Sequence, residues 1–198
     1  MLGGYNKAEV CMKLLLFAGS LRKDSLNKKL LAVAHKILEA KGGLETVLID
    51  LQPLTLPVYD GDIESAGLPE NVKMLGQLID EADALLIASP EYNGSISGAL
   101  KNTVDWVSRL KPMPLSGKPV LLMGTSPGGL GAVRGLLHSK SPFEKLNNYV
   151  YPDVFGIPHG DKAFTATGAL EDEATRKRLA ALIDKYLDFA GAFTKKKN

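Results

Sequence analysis

Short, almost wholly apolar runs alternate along the chain with longer stretches whose apolar residues recur every three or four positions. Lys13–Ala18 (KLLLFA) is apolar at nearly every position, as a strand buried on both faces requires. Thr46–Ile49, Ala84–Ala88 and Val120–Met123 read the same way, and Tyr149–Tyr151 is a weaker example. Their short length and their Gly, Ser, Pro or Asp flanks favour strands over buried helix segments. Between them, Leu30, Leu31, Ala34, Ile37 and Leu38 form a helical stripe that Gly42-Gly43 terminates. Val72, Leu75, Ile79 and Ala82 form a second stripe, and Leu100, Val104 and Val107 a third. Gly131 to Lys145 predicts a fourth helix. Leu179, Leu182, Ile183, Tyr186 and Leu187 predict the fifth.

Five strand–helix units in alternation predict a parallel sheet covered on both faces. A six-strand dinucleotide-type winding is the other candidate at this length. Five strands favour an α/β, flavodoxin-like three-layer sandwich with strand order 2-1-3-4-5. The expected organisation is a leader over 1–11, one domain over 12–194 and a basic tail over 195–198. Gln52–Pro69 is a long connection rich in Pro, Gly and Asp, which either carries contacts to a ligand or partner or merely links strand to helix.

Composition then narrows the function. The 198 residues suit one domain. The 24 basic and 22 acidic residues leave a net charge of +2, without the basic stripe of a nucleic-acid binder. No apolar run approaches the roughly 20 residues of a membrane span, and the N-terminus lacks a secretory pattern. The expectation is a cytoplasmic protein with no nucleic-acid or membrane partner. One cysteine, Cys11, leaves no disulfide framework or Cys-cluster metal site, and three scattered histidines leave little material for a metal site of any kind.

In an open α/β sheet the ligand sits beyond the carboxyl ends of the strands, so the strand-to-helix loops matter most. Gly19–Asn27 (GSLRKDSLN) follows the first strand. It offers hydroxyls at Ser20 and Ser25, the Arg22 guanidinium, the Asn27 amide and the free N–H groups of a helix start. That set suits a phosphate, although Ser25 or Asp24 also reads as a simple helix cap. Neither a G-x-x-x-x-G-K-[ST] nor a G-x-G-x-x-G loop is present, which favours a terminal monophosphate such as that of FMN. The second loop, Ser89–Ser95 (SPEYNGS), has a flat face in Tyr92 and backbone amides for the edge of a planar heterocycle. Gly94 and Gly98 do not make a nucleophile elbow, because Ile96 stands at its centre. The third loop, Thr125–Gly131 (TSPGGLG), brings hydroxyls and glycines to the same rim.

These residues resemble a known family. Gly19–Asn27 resembles the G-S-[LI]-R-x-x-S-x-N signature of the NADPH-dependent FMN reductases. Pro90–Trp106 resembles their P-E-Y-N-x-S-x-P-G-x-L-K-N-x-[IV]-D-W block, with Ser97 where the family often has Pro. Ser126-Pro-Gly-Gly resembles their third cofactor loop, and the match runs from about residue 13 to 190. The quinone, chromate and azo-dye reductases are the most similar branch.

The resemblance implies bound FMN, with NADPH or NADH as co-substrate, and a homodimer or homotetramer. It implies that Ser20, Arg22, Ser25, Leu26 (through its backbone) and Asn27 hold the FMN phosphate. Pro90, Glu91, Tyr92, Asn93 and Gly94 would lie along the ring, and Ser126, Gly128 and Gly129 would close its other side. The flavin carries the chemistry, so no catalytic side chain is expected. The expected activity is an NAD(P)H oxidoreductase passing electrons, by a ping-pong cycle, to a small-molecule acceptor. Quinones come first, then chromate, azo dyes or free flavin. The alternative is a flavodoxin-type electron carrier without its own NAD(P)H oxidation, against which the near-neutral charge counts. Glu91 is expected to be structural or solvent-facing, and Trp106 to serve helix packing or a subunit interface.

Overall fold

In the computed structural model, which describes residues 12–194, Met12–Ala18 forms β1, and the capped stripe after it forms α1 (Leu26–Glu39). The leader expected over 1–11, including Cys11, and the tail over 195–198 lie outside the described residues. β2 is Leu44–Ile49, and the long connection after it contains a short helix, α2 (Gly61–Ala66), capped by Asp60. α3 (Glu70–Glu81) leads into the fully buried β3 (Ala84–Ala88). A small antiparallel hairpin follows, β4 (Glu91–Tyr92) with β5 (Ser95–Ile96), then α4 (Gly98–Val107) and β6 (Pro119–Thr125). α5 (Val133–Lys145), β7 (Tyr149–Val150), β8 (Phe155–Ile157) and α6 (Glu173–Gly191) complete the chain.

The main sheet is parallel, in the order β2-β1-β3-β6-β7, with β8 also paired to β6. This is the expected flavodoxin-like order, with its fifth position shared by two short strands. β7 meets β6 at Pro119 and Val120, and β8 meets it at Met123 to Thr125. Pro152–Val154 leaves the ladder between them, where Pro152 has no N–H to donate.

Alternation along the central strands divides the core. Leu14, Leu16, Leu86 and Leu121 pack against α1 and α6. Leu15, Phe17, Leu85 and Leu122 pack on the other face, against α3, α4 and α5. The connection after β2 is tied down on that second side. Pro57 O accepts from Trp106 Nε1 at 2.7 Å and from Asn102 Nδ2 at 2.8 Å, and the Tyr59 ring meets the Trp106 ring edge-on at 5.1 Å. Trp106 is therefore a packing residue. Among the described residues no helix is long and apolar enough to cross a membrane, and no cluster of His, Cys, Asp or Glu could hold a metal ion.

The buried Tyr186 of α6 locks that helix to the sheet. Its hydroxyl lies 2.7 Å from Leu85 O and 3.0 Å from Pro119 O, and burial pushes its pKa up. Tyr186→Phe removes this bond while leaving the ring in place. It is expected to cost about 1–2 kcal/mol, or about 2–8 °C in Tm, with an unchanged far-UV spectrum. An unchanged Tm in thermal denaturation would show that the hydroxyl contributes nothing.

Candidate active site

The three central strands end level with one another. Ala18 pairs with Ala88, and Ala88 with Met123, so the loops that follow them leave the sheet side by side. Backbone bonds join the loops at once: Gly19 N donates to Ala88 O, and Ser89 N to Met123 O, both at 2.8 Å. The Ser97 hydroxyl does two jobs. It caps α4 by accepting from Leu100 N at 3.2 Å, and it donates to Gly19 O at 2.6 Å. Serine thus serves where the family block often has proline, and it links the first loop to the second.

In the first loop, Ser25 Oγ accepts from Asn27 N and Lys28 N, at 3.2 and 3.4 Å, and so caps α1. That cap leaves the Leu26 N–H at the helix start. Ser20 is buried, and its hydroxyl accepts from Arg22 N at 3.4 Å. The Arg22 guanidinium is exposed and has no partner among the described residues. A guanidinium beside a helix N-terminus is donor chemistry that suits an anion. Asn27 is placed differently from the rest. Its buried carboxamide donates to Thr125 O and accepts from Thr125 N, both at 3.0 Å, so it joins the first loop to the start of the third.

In the second loop the chain turns sharply. Asn93 (φ 52°) and Gly94 (φ 73°) both lie in the left-handed region, which a two-residue hairpin turn of this hand requires. The Asn-Gly dipeptide is the strongest short-range hairpin signal, and here it joins β4 to β5. Pro90 is buried beneath it, and Tyr92 is exposed on it. Glu91 borders the cleft, but its carboxylate is turned to the start of α5. It is 8% exposed, and its carboxylate accepts from Arg134 Nε and Nη2, at 3.0 and 2.6 Å, and from Gly135 N at 3.0 Å. Burial alone would raise its pKa. The Gly135 N–H and the Arg134 guanidinium outweigh burial and hold the carboxyl below its usual range. Glu91 is thus structural, as expected from sequence. Its partners, Arg134 and Gly135, were not foreseen, because they stand more than forty residues away.

The third loop folds back on itself. Ser126 Oγ accepts from Ala132 N at 3.1 Å, and Ser126 O accepts from Gly160 N at 2.9 Å. His159 belongs to the rim through its backbone, donating to Gly128 O at 3.3 Å. Asn93, Gly94, Ser126, Gly128, Gly129 and Arg134 line one cleft of about 590 Å³ between the second and third loops. The first loop joins it through Asn27 and Thr125. Gly128 and Gly129 answer whether a flat cofactor fits here. A Cβ on Gly129 would meet nothing within 4 Å, and one on Gly128 only Ser126 Oγ at 3.8 Å. Neither has a left-handed φ. Neither internal packing nor conformation requires glycine at these positions. What they provide is bare backbone facing the cleft, which suits a planar ring lying against it.

A larger cleft of about 800 Å³ opens at the amino ends of the strands. Its lysines are engaged: Lys13 pairs with Glu45 and Glu81, and Lys118 Nζ donates to Asp80 O and Ala82 O. In a doubly wound sheet that end is not where ligands bind.

Known proteins are similar to this chain. The family model of the NADPH-dependent FMN reductases matches residues 12–162. An NAD(P)H-dependent FMN reductase of Pseudomonas aeruginosa is 36% identical over 168 residues, covering 84% of this chain and 88% of its own. A quinone reductase of Escherichia coli is 33% identical over 183 residues, covering 90% and 95%. Among solved structures, FerB of Paracoccus denitrificans, a flavoenzyme NAD(P)H:(acceptor) oxidoreductase, superposes with a TM-score of 0.80 at 35% identity. That match covers 93% of this chain and 100% of FerB. A family match over most of the described residues, with relatives this similar across nearly their whole length, makes the chain a member of the NADPH-dependent FMN reductase family.

Proposed function

We propose that this chain is an FMN-dependent NAD(P)H oxidoreductase that reduces quinones or related small acceptors. Family membership makes it an oxidoreductase that uses FMN and NAD(P)H. The observation that carries the reading of the site is the bare backbone of Gly128 and Gly129 beside the hairpin, with Arg22 at the start of α1 unpaired among the described residues. Relatives named quinone reductase support the acceptor class, and their being reductases weighs against a pure electron carrier.

In this reading Ser20, Arg22, Ser25 and the Leu26 N–H hold the FMN phosphate, and Asn27 sets the position of that loop. Pro90 to Gly94 border the ring on one side, and Ser126, Gly128 and Gly129 on the other. FMN, when bound, supplies the two-electron chemistry. The protein's part is binding, orientation and electrostatics. Among the described residues lining the cleft there is no histidine, and its one carboxylate, Glu91, is committed to Arg134 and Gly135. No side chain there is poised as an acid or base. One shallow cleft has to admit NAD(P)H and the acceptor in turn, which gives a ping-pong order and a broad acceptor range, chromate, azo dyes and free flavin included.

The same reading makes the enzyme cytoplasmic and a homodimer or homotetramer. Exposed Tyr92, Leu130 and Leu137 near the cleft support association. Light scattering is expected to give the mass of two or four chains, and a monomer at micromolar concentration would refute this part. The purified protein is expected to be yellow, to bleach with NAD(P)H without oxygen, and to regain its colour on adding a quinone. Initial rates at several acceptor concentrations should give parallel double-reciprocal lines. A protein that takes up no FMN overturns the proposal. Arg22→Ala tests the phosphate position separately, because this side chain has no partner among the described residues. It is expected to raise the Kd for FMN roughly tenfold, with the Tm of the apoprotein unchanged. An unchanged Kd would move the phosphate elsewhere.

A further inference from the structure

We infer that Glu91 is a positioning residue, which sets the third loop against the cofactor by capping a helix far from it in sequence. The inference rests on the reading of this rim as the FMN site.

α5 is poorly equipped to start on its own. Its N-cap is Ala132, which has no side-chain acceptor and sits at φ 68°. Its third residue is Gly135, a weak helix former, and Pro142 interrupts its interior. The first-turn N–H groups of any helix need acceptors from outside it. Here the acceptor comes from the hairpin: Glu91 Oε2 takes the Gly135 N–H at 3.0 Å, and Oε1 takes the Arg134 guanidinium. A carboxylate at this end of a helix also meets the positive end of the helix dipole. The side chain is 8% exposed against 61% for Arg134, so the anion is shielded while its partner stays in water.

The fit between hairpin and helix is close. A Cβ on Gly135 would stand 2.7 Å from Ser95 O and 3.0 Å from Glu91 Cα. Glycine there lets the hairpin rest on the first turn of α5. The loop that precedes this turn is the one that presents Gly128 and Gly129. Ala132, its last residue before α5, donates back to Ser126 Oγ. Asn27 grips the loop's beginning at Thr125, and Glu91 grips its end at Arg134 and Gly135. Moving either grip moves the bare backbone between them. Glu91 touches no reacting atom in this account; it acts through α5.

The test is FMN titration of apoprotein, with far-UV circular dichroism and Tm measured on each variant. Glu91→Ala is expected to raise the Kd for FMN about tenfold in a folded protein. Glu91→Gln is expected to recover most of the affinity, because its amide oxygen still accepts the Gly135 N–H. Glu91→Asp draws the carboxylate back by one methylene and is expected to be intermediate. It also serves as the decisive variant should the alanine protein not fold. Tyr186→Phe is the control for general destabilisation and is expected to leave the Kd unchanged. Three results overturn the inference: a Kd within twofold of wild type for Glu91→Ala or, if that variant does not fold, for Glu91→Asp; no recovery with Gln; or an equal loss in Tyr186→Phe. Wild-type apoprotein that binds no FMN overturns the site reading itself, and this inference with it.

Discussion

A single buried carboxamide holds the functional end of this molecule together. Asn27, in the first turn of α1, both donates to and accepts from the backbone of Thr125, the last residue of β6. A buried amide is expensive unless its donor and its acceptor are both met, and this one meets both on the same residue. The pairing works like one rung of a sheet ladder placed where no strand exists. It fixes the separation between the start of α1 and the glycine loop after β6. Ser97 on Gly19 and Gly160 on Ser126 are further joints of the same rim.

Local pattern revealed the scaffold because the scaffold is made by local pattern. β1 and β3 are buried at nearly every position, and α1 and α6 carry stripes that match one face of the sheet. Where the physics is short-ranged but faint, the reading blurred. α2 is six residues with none buried, so it left no apolar stripe inside the 52–69 connection. The fifth strand is broken by Pro152, so only its first half resembled a strand. The hairpin was written plainly in Asn93-Gly94 but spans only two residues on each side.

The candidate site was legible in a different measure. The loops that carry it could be named, since glycines, hydroxyls and an arginine stand together in sequence. The work of individual side chains within those loops could not. Asn27 reads as a ligand, and its carboxamide is also bonded to a residue 98 positions on, which no local pattern announces. Glu91 finds Arg134 and Gly135 across more than forty residues. Contacts of that range leave no periodicity, because they depend on the fold having already formed. The general lesson is specific to polar groups: apolar residues announce their burial by spacing, whereas a buried amide or carboxylate is explained only by what lies opposite.

Trp106 is the one tryptophan of the chain, wholly buried on α4 with its indole N–H on Pro57 O. The same helix begins at Ser97, whose hydroxyl rests on Gly19 at the rim. The protein therefore has a single indole emitter, in a dry and fixed setting, on the helix that abuts the cleft. Its fluorescence reports one place rather than an average over several. A yellow ligand in the cleft would draw energy from that emitter, so filling of the cleft can be followed by light from a residue that never touches it.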